Sequence, residues 1–271
     1  MTAHGADLTL RDLRMSYPTP DGEQPVFAGL ELDVAAGSNV AVVGPSGCGK
    51  STLLRLLSGL TRPTGGVVAV DGRTVTGPPD GLALVFQDYA RSLFPWLTVT
   101  QNVALPLERT TARREREQLA ARALASVGLG DVGRRYPWQL SGGMQQRVAI
   151  ARALVTEPSV LLLDEPFAAV DAQTRGDLED LVRDLWARLG VTVLLVTHDI
   201  DEAVYVSDRV IVLGARGAGV VDDVLVPLPA GRTQLTTRSS AEFGRTRARV
   251  LTAVQDATRR LRDRTTEGSA R

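Results

Sequence analysis

The sequence is short of several things, and each shortage narrows the reading. One cysteine, Cys48, leaves no partner for an internal disulfide and fits a reducing compartment. Aromatic residues make up 4% of the 271 positions, so each one in a loop carries information. Net charge is absent: 31 basic and 31 acidic residues cancel, and the pI is near 6.8. That balance gives neither the basic footprint of a nucleic-acid binder nor an acidic tail. The apolar runs Val160–Leu163 and Val191–Val196 fall far below the length of a membrane span. The first residues, MTAHGADLTLRDLRMSY, lack the apolar core and cleavage-like site of a secretory signal, so the chain is expected in the cytosol, free or docked on something. Lysine is as scarce as cysteine. Lys50 is the only one, and the other 30 basic residues are arginines.

That lysine sits in Gly44-Pro45-Ser46-Gly47-Cys48-Gly49-Lys50-Ser51, which matches the phosphate-loop pattern of glycine, four residues, then Gly-Lys-Ser. A compact ammonium fits inside a tight backbone loop, whereas a planar, forked guanidinium does not. The loop follows the short apolar run Val40–Val43, as expected of a strand buried on both faces, and precedes Leu53, Leu54, Leu56, Leu57 and Leu60 at helical spacing. Backbone N–H groups from Gly47 to Thr52 then point inward at a helix start, where the dipole favours anions. Lys50 is expected on the β- and γ-phosphates and the Ser51 hydroxyl on Mg²⁺. Cys48, at a helix start beside Lys50, is expected to favour thiolate, so that alkylation blocks ATP binding.

The remaining elements alternate. Leu13, Met15 and Tyr17 alternate, as do Leu30, Leu32 and Val34, and Val67–Val70 and Leu82–Phe86 are strand-like. Helical patterns run from about Gln101 to Val155, with a thin apolar stripe of Leu119, Leu124 and Val127 and a solvated charged face. Buried-strand character returns at Val160–Leu163, Val191–Val196 and Val210–Leu213, with a helix over Leu178–Leu189. The pattern is an α/β core interrupted by a mostly helical insert at about residues 95–155, within a domain spanning 1–215. Residues 216–271 read as a polar, glycine-rich extension with one amphipathic helix over Ala241–Leu261 and a disordered tail at Arg264–Arg271.

Two further motifs carry chemistry. Val160-Leu161-Leu162-Leu163-Asp164-Glu165-Pro166 ends a strand in two carboxylates that alternation sends in different directions. Asp164 suits the Mg²⁺ shell and Glu165 suits a general base facing water; the bland alternative is a polar strand end. Leu140-Ser141-Gly142-Gly143-Met144-Gln145-Gln146-Arg147 places Ser141 as a helix cap, with two glycines leaving the backbone amides bare. It is a second anion cradle in one chain, which a generic Ser-Gly-Gly turn does not explain.

With these residues in view, the chain resembles the ATP-binding subunits of ABC transporters over roughly Leu8 to Leu213. Gly44–Ser51 and Val160–Pro166 are similar to that family's Walker A and Walker B motifs, and Leu140–Arg147 to its signature motif. The resemblance implies a P-loop NTPase core with an antiparallel β subdomain and the helical insert. It implies that Gln87, in Val85-Phe86-Gln87-Asp88, contacts Mg²⁺ and senses the transmembrane partner. It places Asp171 in the D-loop, His198 as the switch histidine on the γ-phosphate, and Tyr17 as the aromatic stacked on adenine. Each has a plainer alternative: a solvated amide for Gln87, a structural imidazole for His198, a strand-end core aromatic for Tyr17 before Pro18 and Pro20 break the strand.

In this family two subunits face head to tail, so Ser141, Gly142 and Gly143 would serve the ATP held by a second copy. Lys50, His198 and the signature amides would stabilise phosphate charge, and Glu165 would take the proton of the attacking water. Arg91–Val99 (RSLFPWLTV), with Phe94, Trp96 and Leu97, reads as a docking surface or as packing under the insert. Together with Asn102–Leu107 and Thr197–Arg209, it resembles the importer branch for nitrate, aliphatic sulfonates and taurine. Ala168-Ala169-Val170 departs from that branch's usual Gly-Ala-Leu. The partners implied are a second copy, a transmembrane permease and, indirectly, a solute-binding protein, with no nucleic acid, at the cytoplasmic face of the cell membrane. Related subunits serve uptake of a thiamine precursor, cyanate or bicarbonate. A DNA-repair clamp would need a long coiled coil between Thr52 and Leu140, a translation factor would need two cassettes, and a small-molecule kinase would give Leu140–Arg147 no role.

Overall fold

The computed structural model describes residues 5–20, 22–88, 92–108, 110–168 and 170–268, with side chains as far as Arg260. Arg91 and Ala169, in two of the stretches read above, lie outside the described residues.

Strands β3 (Asn39–Val43), β7 (Val160–Asp164) and β8 (Thr192–Val196) form the middle of a six-stranded sheet. Their apolar runs are buried on both faces. Ala41, Val43, Leu161, Leu163, Val193 and Leu195 join one core, while Val40, Val42, Val160, Leu162, Leu194 and Val196 join another. Strands β6 (Leu82–Val85) and β9 (Arg209–Leu213) extend the sheet in parallel, and β10 (Val220–Leu225) closes one edge antiparallel to β9. The order is β10-β9-β3-β8-β7-β6.

The second sheet is antiparallel, in the order β2-β1-β4-β5: β1 is Leu8–Thr19, β2 Gly22–Val34, β4 Gly65–Val70 and β5 Arg73–Thr74. Its inner residues Leu8, Leu10, Leu13, Leu30 and Leu32 share a core with the leucines of helix α1 (Lys50–Leu57). The helix is therefore held between the two sheets. It stops at Ser58 because Gly59 turns left-handed (φ 69°), and a Cβ there would lie 2.1 Å from the Gly77 carbonyl oxygen. Leu60, expected on the helical stripe, is past that stop and 53% exposed. Pro18 does not end β1, which pairs it with Glu23. Beyond Arg14 the strand has β2 alone as a ladder partner, which leaves room for a residue without an N–H.

The helical insert comprises α2 (Val99–Ala104), α3 (Arg113–Ser126) and α4 (Gly142–Leu154), packed on one another. Val99, Val103, Ala120, Leu124, Val148 and Ile150 are buried in its centre. Ala120 and Ala123 widen the expected stripe of α3, whose Arg113–Glu117 pair lies in solvent and contributes little to stability. The rest of the chain holds α5 (Ala172–Leu189), α6 (Ile200–Val206), α7 (Gln234–Arg238) and α8 (Ala241–Gly268). Helix α8 continues through 264–268, where a disordered tail was expected, because no proline or glycine interrupts it after Gly244 until Gly268. Residues 269–271 of that tail lie outside the described residues. Among the described residues no helix is long and apolar enough to cross a membrane.

Candidate nucleotide site

The loop from Gly44 to Gly49 joins β3 to α1, and glycine is required at its end. Gly49 is left-handed (φ 110°), and a Cβ there would meet Val26 Cγ1 at 2.5 Å and Phe27 Cζ at 2.8 Å. Lys50 is 9% exposed, and its ammonium donates to the carbonyls of Gly44 (2.9 Å) and Pro45 (3.2 Å). The sole lysine is thus enclosed by its own loop. Cys48 overturns the expectation of a reactive thiolate. It is 3% exposed, and burial pushes its pKa up more strongly than Lys50 pulls it down. The side chain belongs to the core under the loop.

The two carboxylates do diverge, but not through strand alternation. β7 ends at Asp164, and Glu165 takes a positive φ of 44°, anchored by its N–H donating to Val196 O at 2.8 Å. This turn brings Glu165 to Gln87 and His198. Gln87 Nε2 donates to Glu165 Oε2 at 2.8 Å, and His198 Nδ1 lies 3.1 Å from Glu165 Oε1. Nδ1 faces that carboxylate, which leaves the far edge of the imidazole, Nε2, for a ligand. Asp164 points elsewhere. Its Oδ1 is buried with no hydrogen-bond partner, and burial followed by the Glu165 charge pushes its pKa up, while Ser51 pulls it back.

That orphan oxygen, on a carboxyl group whose charge Ser51 favours, suits a nucleotide-borne magnesium. Among the described residues no group of three or more His, Cys, Asp or Glu could hold a metal alone. Mg²⁺ is commonly held by one or two protein oxygens plus substrate phosphates, and Ser51 and Asp164 fit that donor set.

Tyr17, Gln24, Val26, Ser46, Gly47, Gly49, Lys50, Ser51, Thr52, Glu165, His198 and Arg216 line one open cleft of about 610 Å³. The antiparallel sheet thus supplies Tyr17, 37% exposed, to the same space as the loop and the carboxylate. Gln24 and Arg216 were missed in the sequence. Gln24 could have been found from its place opposite Tyr17 in the hairpin. One arginine among 30, in a glycine-rich turn, gave no signal.

Ser141, Gly142, Gly143 and Asp171 do not line this cleft. Ser141 caps α4, its Oγ accepting from Met144 N at 3.3 Å, and Ser141 and Gly142 are exposed. Asp171 caps α5 by accepting from Gln173 N and Thr174 N, which lowers its pKa, and it also accepts from Thr174 Oγ1 at 2.7 Å. Thr174 in turn seats against Gly143, where a Cβ would come within 2.1 Å of its methyl carbon. In the expected docking stretch Val99 is fully buried, whereas Trp96 is 70% exposed and tilts against Phe94 at 5.3 Å.

A family profile described as ABC transporter matches residues 27–168. The taurine import ATP-binding protein TauB of Chromobacterium violaceum is 42% identical, covering 89% of this chain and 94% of that protein. The nitrate import ATP-binding protein NrtC of Synechocystis sp. is 46% identical over 81% of this chain, which spans 33% of NrtC. Among solved structures, the ATP-binding cassette MJ0796, a dimer in a post-hydrolysis state bound to ADP and Pi, superposes with a TM-score of 0.72 at 32% identity. That match covers 82% of this chain and 100% of the other.

Proposed function

The chain belongs to the ABC transporter family as an ATP-binding subunit that hydrolyses ATP, and from that premise we propose that it drives an importer for small anions of the nitrate, sulfonate or taurine kind. The reading rests on one observation. The chain has two glycine-bearing helix starts, at Gly47–Thr52 and at Ser141–Gly143, and one cleft lined by the first alone. The second helix start, with Ser141 and Gly142 exposed, then serves the ATP of a second copy facing head to tail, and neither active site is complete in one chain.

Within this arrangement Tyr17 stacks on adenine, and the backbone amides from Gly47 to Thr52 hold the phosphates. Lys50 exchanges its contacts to Gly44 O and Pro45 O for phosphate oxygens. Ser51 and Asp164 would hold Mg²⁺, which would screen the phosphate charge. Glu165 accepts the proton of the attacking water, oriented by Gln87 and His198 on its two oxygens. His198 Nε2 and the partner copy's signature amides meet the γ-phosphate. Gln87 also reports the permease, whose cytoplasmic helix docks beside β6 and the exposed Phe94 and Trp96. A solute-binding protein acts through that permease, so the subunit sits at the cytoplasmic face of the membrane without spanning it.

The test is purification of the tagged chain from detergent-solubilised membranes of its own host. A co-purifying permease, with ATP turnover that rises in its presence and uptake of labelled nitrate, taurine or alkanesulfonate lost on deletion, supports the reading. Retention on DNA or ribosomes instead would overturn it.

A further inference from the structure

We propose that Arg216 is a nucleotide-binding residue whose guanidinium holds the polyphosphate beside Lys50 and ties it to the phosphate loop. The proposal rests on the reading of the cleft as the ATP site. Arg216 lies on the turn between β9 and β10, and three bonds fix that turn. Gly214 N donates to Gly219 O (2.8 Å), Ala218 N to Ala215 O (2.8 Å), and Gly217 N to Val26 O (3.1 Å). The last of these fastens the turn to the antiparallel sheet next to the cleft. From there Arg216 Nε donates to Gly47 O at 3.1 Å, and the side chain lines the cleft with Tyr17, Ser46 and Lys50.

The other arginines around this edge are spoken for: Arg209 by Asp223 and Arg249 by Asp222. Among the described residues, no carboxylate pairs with Arg216, and its two terminal nitrogens donate to no protein acceptor. An exposed guanidinium with one N–H on the loop and the rest of its fork unused, in a cleft built for phosphate, has the geometry for bidentate contact with phosphate oxygens. A single arginine can then bridge ligand and loop, so that closing the loop and binding the nucleotide reinforce one another.

The experiment compares wild type, Arg216→Gln and Arg216→Lys by calorimetric titration with ATP and ADP, and by displacement of a fluorescent nucleotide with inorganic tripolyphosphate. Loss of a charge-assisted pair predicts that Arg216→Gln weakens ATP and ADP by about 10- to 100-fold and tripolyphosphate in parallel. Arg216→Lys should recover part of the loss, and the melting temperature without nucleotide should stay at the wild-type value because the residue is exposed. Affinities within twofold of wild type would overturn the proposal. So would a loss for ATP and ADP with none for tripolyphosphate, which would put the contact on base or ribose. A drop in the nucleotide-free melting temperature that accounts for the weaker binding would make Arg216 structural only. If the wild-type protein bound no nucleotide and Lys50→Ala changed nothing, the reading of the cleft itself would have failed.

Discussion

His198 Nδ1 and Glu165 Oε1 stand 3.1 Å apart, and Gln87 holds the other oxygen of the same carboxylate at 2.8 Å. Three segments following three adjacent parallel strands, β6, β7 and β8, therefore converge on one side chain. The carboxylate is oriented from two directions before any substrate arrives, which suits a base that must meet one water at one angle. Glu165→Gln keeps the shape and removes the basicity. It should bind ATP with wild-type affinity and hydrolyse it at least about 100-fold more slowly. With hydrolysis blocked, the ATP-loaded pair should accumulate as a dimer in gel filtration. Normal turnover, or a monomer at saturating ATP, would remove this role from Glu165.

Lys50→Arg should fail in spite of the retained charge. The ammonium is buried and fits between the carbonyls of Gly44 and Pro45, and a guanidinium is too broad for that enclosure. ATP affinity should drop at least about tenfold, seen as loss of the thermal shift that ATP gives the wild type. A wild-type shift would mean that size does not matter at this position.

The strong periodic elements were readable in the sequence because each depends on residues close together in the chain. Val40–Val43, Val160–Leu163 and Thr192–Val196 are strands because apolar runs of this kind need burial on both faces, and Gly44–Ser51 sets its loop by local backbone demands. Features that depend on distant partners were not readable. β10 carries two adjacent aspartates, Asp222 and Asp223, at its centre and is defined by its ladder with β9. The carboxylate of Glu165 is aimed by a positive φ at a residue that has no glycine to announce it. Cys48 misled for the same reason, since its position in the loop is local but its burial against the core is not.

Cys48 now predicts the opposite of a reactive thiol. N-ethylmaleimide at neutral pH should label the folded protein at least about tenfold more slowly than the urea-unfolded protein, because the thiol is buried and its pKa is raised. Mass spectrometry over a time course reads the two rates. Equal rates would show that the loop opens freely to solvent.

Glu202 gives the fold a pH dependence with a definite sign. It is 4% exposed, and burial first of all pushes its pKa from 4.5 to about 7, with Asp199 and Glu179 adding to the shift. Thr197 Oγ1 donates to it at 2.7 Å and Arg175 lies 3.6 Å away, and both oppose the shift in part. Between those two pKa values the folded protein holds a proton that the unfolded chain has released. Its contribution is full below pH 4.5 and is lost as pH rises through about 7. The loss should approach about 3 kcal/mol, at roughly 1.4 kcal/mol per tenfold in proton affinity. Urea unfolding at pH 5 and pH 8 should show this component in the wild type and not in Glu202→Gln. Thr197 precedes His198, so ATP turnover followed over the same range would report whether charging Glu202 also moves the imidazole.

The segment after β10 is fastened by Arg238, and this makes the role of the extension measurable. Arg238 Nη2 donates to Glu179 Oε2 at 2.6 Å, and the guanidinium lies over the rings of Tyr205 (5.0 Å) and Phe243 (5.9 Å). Gln234 Nε2 donates to the same Glu179 oxygen at 2.9 Å. Glu179 has a fully buried side chain; burial raises its pKa and Arg238 is the largest influence lowering it. Removing the arginine strands a buried carboxylate, so Arg238→Ala should cost about 3 kcal/mol in urea unfolding. Arg238→Ala combined with Glu179→Gln should cost less than Arg238→Ala alone, because the amide leaves no charge to strand. That ordering separates the ion pair from simple packing: if Arg238 acted only by covering Tyr205 and Phe243, the second substitution would bring no relief.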